Sequence, residues 1–136
     1  MEEMEARVWQ RVGGKPPMEL PRLTQLCREA AADYRALAPA FPGEARQTLL
    51  ALHREAAFAA RALAGILTLR GLDLPPDPTP WPERNKRRAL ALAYRRSCTL
   101  WEAFSAWSAS AEFAPTFRHL AQQETTISYR IAALIT

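Results

Sequence analysis

Two glutamates carry the chemistry this sequence suggests. In REAAFAARAL (residues 54–63) Glu55 lies at the edge of an apolar helical seam, and Phe58 follows three residues later. In QETTI (residues 123–127) Glu124 and Ile127 repeat that spacing. A carboxyl group facing an apolar core loses its solvation, so it needs a hydrogen bond, a shared proton or an ion to remain there. Two other seam positions are also polar or nearly so, Cys27 and Ser97. Two neighbouring carboxyls could work as general acid and base, or could ligate a cation together with the Cys27 thiolate. The first use lacks support, because no nucleophile or phosphate-binding loop accompanies the pair. The two histidines do not join it. His53 precedes Glu55 by two residues and points to the opposite side of its helix; His119 lies five before Glu124, about 140° away. Both are expected at the surface. Glu29, two residues past Cys27 and about 200° around the helix, is expected to face solvent.

Four helices must position these residues. From Leu20 to Phe41 the apolar or small residues fall at Leu20, Leu23, Cys27, Ala30, Tyr34, Leu37 and Phe41, in steps of three and four that mark one buried seam. Pro21 fits the first turn, while Pro39 and the Phe41-Pro42-Gly43 run stop the helix, predicting it over residues 21–38. A second helix over 43–70 buries Leu49, Leu52, Ala56, Ala59, Leu63 and Ile66, with Gly71 as its C-terminal cap. So short a join makes the two helices a hairpin. Residues 73–84 (DLPPDPTPWPER) carry five prolines and read as an extended crossover over 71–81. The third helix, over 82–110, is read with Leu90, Tyr94, Ser97, Trp101, Phe104, Ser108 and Ala111 inward. The fourth, over 115–135, is read with Phe117, Leu120, Glu124, Ile127, Ile131 and Leu134 inward. No stretch alternates with period two, so the chain is predicted to be all-α. Residues 1–19 read as an arm with a short helix whose Val8 and Trp9 pack on the bundle, and residues 20–136 as the bundle itself. Trp101 and Phe104 are expected in the core, whereas Trp107 and Phe113 are offered as a second contact face for a homodimer.

The polar positions also recur along the chain. Cys27 to Glu55 is 28 residues and Ser97 to Glu124 is 27, so the two hairpins look like a weak internal repeat with these four residues at one level. With its stretches EAAADYRALA (29–38), LALHREAAFAARALAG (50–65), LAYRRSCTLWEAF (92–104) and FRHLAQQETTISYRIAALI (117–135), the chain resembles the rubrerythrin-type branch of the ferritin-like superfamily. The resemblance implies an antiparallel four-helix bundle made of two hairpins joined by a long crossover. In that family the first and third helices each give a glutamate, and the second and fourth each give Glu-x-x-His, to a di-iron or di-manganese centre. The corresponding positions here are Cys27, Ser97, Glu55 with Phe58, and Glu124 with Ile127. Two carboxylates remain of six ligands, with Phe58 and Ile127 expected to fill space where the histidines would stand. The resemblance therefore implies a bundle that has lost its di-metal site, with no cofactor and no catalysis, acting as a binding or scaffold protein. Its alternative is a reduced site for iron, manganese or zinc at Glu55, Glu124 and Cys27, serving oxidative stress or iron handling. In the first reading the carboxyls are held by donors from Ser97, Cys27, Tyr34 and Tyr94.

Bulk properties narrow the partners. The chain has 136 residues, enough to bury a core without staples, and 49% hydrophobic with 24% charged residues is a globular composition. No apolar run approaches the 18 to 20 or so residues of a membrane span, and the acidic start MEEMEARVWQ does not resemble a signal peptide, so a cytoplasmic protein is expected. The two cysteines, Cys27 and Cys98, are then reduced. A net charge of +4 raises the question of nucleic acid. The basic residues are scattered, however, and the one cluster, residues 83–88 (ERNKRR), lacks the interleaved aromatics of a binding groove. It is read as a solvated helix start.

Overall fold

The computed structural model describes residues 18–80, 83, 85–110 and 112–135, and these form four α-helices with no strand among them. They are α1 (Leu20–Leu37), α2 (Gly43–Leu69), α3 (Lys86–Trp107) and α4 (Ala114–Ile135), with a 3-10 turn at Ala38–Ala40. The predicted arm helix, with Val8 and Trp9, lies outside the described residues. None of the described helices is long and apolar enough to cross a membrane.

Local chemistry sets the helix ends. Pro21 sits in the first turn of α1, where an absent N–H costs nothing. Pro39 lies in the 3-10 turn, and Arg46 reaches back from α2 to hold the carbonyls of Phe41 (2.9 Å) and Pro39 (3.2 Å). At the other end of α2 the Leu72 amide donates to Leu67 O (2.9 Å) and the Gly71 amide to Thr68 O (3.1 Å). This paired closure requires a left-handed residue, and Gly71 supplies it with φ of 71°. The start of α3 falls at Lys86, four residues later than the predicted 82. Asn85 caps it by accepting from the Arg88 amide (3.0 Å), while Glu83 accepts from the Asn85 amide (3.1 Å). The helix also ends earlier than predicted, at Trp107, where the Ser110 amide closes on Trp107 O.

The principal packing is α1 on α2 and α3 on α4, with α1 also against α3 and α2 against α4. Contacts fix the sense of these pairs. Ser97 meets Glu124 and Trp107 stacks on Phe117 (5.5 Å), so rising positions on α3 meet falling positions on α4. Likewise Arg96 meets Asp33 while the Trp107 indole N–H donates to Met18 O (2.7 Å), which orders α1 against α3. The crossover returns along α1, where Arg28 grips Pro75 O and pairs with Asp77 (2.9 Å).

The seams read from α1, α2 and α4 are the buried ones: Leu23, Cys27 and Tyr34; Leu49, Leu52 and Leu63; Phe117, Leu120, Ile127 and Ile131. On α3 the reading needs correction. Its buried row is Leu90, Ala93, Ser97, Leu100, Phe104 and Trp107, whereas Tyr94 and Trp101 are exposed. Leu90, Ser97 and Phe104 belong to either reading; the second row is 93/100/107 rather than 94/101/108. Both satisfy a three-four rhythm. The choice falls to Ala93, a small residue that permits close approach, and to Trp107, which gains both Phe117 and the Met18 carbonyl. Trp107 is therefore core, not a contact face, and Phe113 packs partly buried against the core at φ of 59°.

Replacing Gly71 by alanine meets no atom within 4 Å, so its cost is conformational only. Gly71→Ala is expected to lower stability by about 1 kcal/mol, with Gly71→Asn costing less, measured by urea unfolding at pH 5.

Candidate functional site: a buried polar layer

Polar groups from all four helices gather in one part of the interior. Cys27 and Tyr34 come from α1, Ser97 and Arg96 from α3, and Glu124 from α4, while Glu55 from α2 reaches the edge. Cys27, Tyr34, Ser97 and Glu124 are all buried. The central contact is a hydrogen bond of 2.6 Å in which the Ser97 hydroxyl donates to Glu124 Oε1. Ser97 can face Glu124 because each sits in the seam of its own helix, opposite one another along the α3–α4 hairpin. Beside them Arg96 pairs with Asp33 at 2.5 Å and lies over the Tyr34 ring, 5.6 Å from its centroid. Glu55 is half-buried and its Oε1 meets Arg130 Nη1 at 3.5 Å.

Burial dominates the electrostatics. It pushes the Glu124 carboxyl up to about 7; the Ser97 bond and the Arg96 charge oppose this, and Glu55 adds to it. The Cys27 thiol is raised far above its ordinary value, first by burial and then by Glu124. It stays protonated at neutral pH and is a poor source of thiolate. Burial, again seconded by Glu124, raises the Tyr34 hydroxyl too, against the pull of Arg96. The layer thus holds a neutral thiol, a neutral phenol and a carboxyl that exchanges its proton near neutrality.

Of the six positions singled out in the sequence, Cys27, Ser97, Glu124 and Ile127 are buried together in the bundle. Glu55 lies at the edge, turned to Arg130 rather than fully inward. Phe58 is a correction: it does not fill the core but is exposed on α2, edge-on to His119 with ring centroids 6.3 Å apart. Three residues after an edge position the helix has turned Phe58 away from the seam that Ala56 and Ala59 occupy. Tyr94 is also removed from the set of donors, since it faces outward with Trp101. His53 is half-buried rather than a surface residue: its Nδ1 lies 2.8 Å from Ala31 O, and as a carbonyl only accepts, Nδ1 carries the proton. His119 is exposed, as expected, and Glu29 is partly buried beside Gln25 (3.4 Å). Sequence reasoning missed Arg96. Lying next to Ser97, it reads as one more scattered arginine; only the packing of α1 on α3 shows that it faces Tyr34 and Asp33.

These residues do not fit a dinuclear metal centre. Such a site needs several carboxylate or imidazole donors converging on each ion. Among the described residues no group of three or more His, Cys, Asp or Glu is gathered closely enough to hold a metal. Glu124 spends one oxygen on Ser97, and Glu55 is directed to Arg130. Near the crossover, Arg88 pairs with Glu83 (3.6 Å) and Lys86 sits over Phe41 (5.4 Å), which ties two members of the basic cluster into the fold. No protein-family model, curated protein or solved structure matches the chain.

A raised carboxyl pKa makes folding pH-dependent with a definite sign. The native state keeps the Glu124 proton that the unfolded chain loses near pH 4.3, so this group's contribution is full below that pH and is lost as pH rises toward 7. The loss is on the order of 3 kcal/mol. Glu124→Gln, which keeps an acceptor for Ser97 and cannot ionise, is expected to match the parent near pH 4.5 and to exceed it by a few kcal/mol at pH 8. Urea unfolding at the two pH values checks this; equal stabilities at pH 8 would show that the native carboxyl ionises freely.

Proposed function

We propose that this chain is a ferritin-like four-helix bundle whose di-metal centre has been replaced by a hydrogen-bonded polar layer, and that it works as a non-catalytic binding or scaffold protein. The observation that carries this reading is the Ser97–Glu124 hydrogen bond. A carboxyl at a ligand position is satisfied there by a neutral hydroxyl on the facing helix, and serine supplies no charge to hold a cation. Hairpin, long crossover, hairpin is the topology in which such bundles place ligands on inward faces. The inward positions at this level carry Cys27, Ser97, Glu124 and Ile127. The protonated thiol, the hydroxyl and the butyl group fill the space around the carboxyl without offering a donor set for iron, manganese or zinc. The hydroxyl of Ser97 and the thiol of Cys27 beside Glu124 are themselves buried, which argues for a structural role of the carboxyl rather than acid–base catalysis. A protein of this kind presents surfaces, and a cytoplasmic setting suits its reduced thiols.

Metal analysis separates this from a metalloprotein with a reduced site. The chain is produced without chelator in medium supplemented with iron, manganese and zinc, then assayed by inductively coupled plasma mass spectrometry. Substoichiometric metal, unchanged by Glu55→Ala and Glu124→Gln, is the expected result. One equivalent or more of a single metal, lost on Glu55→Ala, overturns the proposal.

A further inference from the structure

The outward side of α3 carries aromatic rings that the bundle does not use. Trp101 is 45% exposed, Tyr94 40%, and Tyr129 on the neighbouring α4 74%. Between the two helices a hollow of about 480 Å³ has Tyr94, Cys98, Trp101 and Glu102 on one wall and Tyr129 on the other. Exposed tryptophan and tyrosine grouped on one face mark an interaction surface more strongly than scattered aliphatic residues do.

The arrangement of α3 says what covers it. Ala91, Cys98 and Ser105 recur every seven residues, so a row of small side chains runs along the exposed side of α3 at the border of that hollow. At about 100° per residue, Tyr94 and Trp101 lie together on one flank of that row. Arg95 and Glu102 lie together on the other flank, and both are exposed. Each flank brackets Cys98 and is centred within one residue of it: Tyr94 and Arg95 precede it by four and three residues, Trp101 and Glu102 follow it by three and four. A two-fold axis through Cys98 in the plane of contact reverses position along the helix and preserves the flank. It therefore sets Tyr94 against the partner's Trp101 and Arg95 against the partner's Glu102, each pair twice. The small residues meet small residues, which allows two helices to approach closely.

We propose that a second copy of this chain docks here, α3 against the partner's α3 in opposite directions, about a two-fold axis at Cys98. The contact is isologous, the commonest closed arrangement of soluble oligomers. Aromatic pairs fill one flank and the hollow beside Tyr129, while ion pairs fix the register on the other. Charge pairing of this kind sets orientation and rejects slipped registers, because a shift brings like charges together. The surface differs from the one expected from the sequence, since Trp107 is buried and Phe113 packs on the core, and the polar layer takes no part in it.

Sedimentation equilibrium of the full chain tests the inference, with metal content measured separately. A mass of twice 15.3 kDa is expected. A short bis-maleimide is expected to link the two copies through Cys98, and Cys98→Ser to abolish the link, because Cys27 is buried. Arg95→Glu and Glu102→Arg are each expected to weaken the dimer at least about tenfold by placing like charges opposite one another, and the double variant Arg95→Glu/Glu102→Arg to restore it. All three substituted residues are at or near the surface, so circular dichroism should show the variants folded. A monomer at all concentrations, a dimer indifferent to both charge reversals, or failure of the double variant to recover overturns the proposal.

Discussion

The bundle depends on how one carboxyl group is tolerated in its interior. Glu124 is buried with a single hydroxyl donor at 2.6 Å, and an ionised carboxylate in that setting would carry a large desolvation cost. The protein meets this constraint by two routes at once. Ser97 satisfies one oxygen, and the carboxyl keeps its proton to near neutral pH instead of charging fully. Neighbours follow from the same condition. Cys27 and Tyr34 remain neutral because burial disfavours their charged forms and the Glu124 carboxyl adds to that, and the charge of Arg96 is balanced by Asp33.

That balance also explains why Arg96 is tolerated where α1 meets α3. Its guanidinium is mostly buried, covers the Tyr34 ring and pairs with a carboxylate from the opposite helix, so its charge acts on Glu124 without standing alone. Breaking such a pair by removing one partner generally costs more than the pair contributes, because the remaining charge is stranded. The α1–α3 contact is thus specified by ionic and aromatic geometry, whereas the two hairpins are specified by apolar seams.

Much of the fold could be read from residue spacing, and the exceptions have physical causes. On α1, α2 and α4 most of the large aliphatic residues fall in one row, so there period and volume largely agree, Phe58 apart. On α3 they disagree: tyrosine and tryptophan at 94 and 101 outweigh alanine and leucine at 93 and 100 in any count of hydrophobic bulk, yet the small residue is the one that lets the helices close. Weighing bulk over fit moved two aromatics to the wrong side and took Trp107 out of the core. At the polar layer, spacing draws attention to Ser97 and Glu124 as polar residues within apolar rows, but Ser97 is one of four donors it offers, and the packing of α3 on α4 selects it. Phe58 could not be placed that way, since Glu55 sits at a seam edge and three further residues rotate away from the core. Arg96 could not be found either, because partners on α1 exist only after the hairpins pack.

Misassigning one row of α3 also concealed the symmetry of its other side. Once Leu100 and Trp107 are turned inward, the residues at 94, 95, 101 and 102 are left together outside, where their order around Cys98 becomes visible. The two faces of α3 then obey different rules. Inward, the requirement is volume that interlocks with α1 and α4, which single substitutions disturb. Outward, the dimer we propose requires that the face complement its own rotated image, which would couple positions seven apart in pairs: a change at Arg95 would change what Glu102 must be. Such coupling leaves a signature that a solvated helix surface lacks, because residues that touch only water have no reason to match one another across an axis.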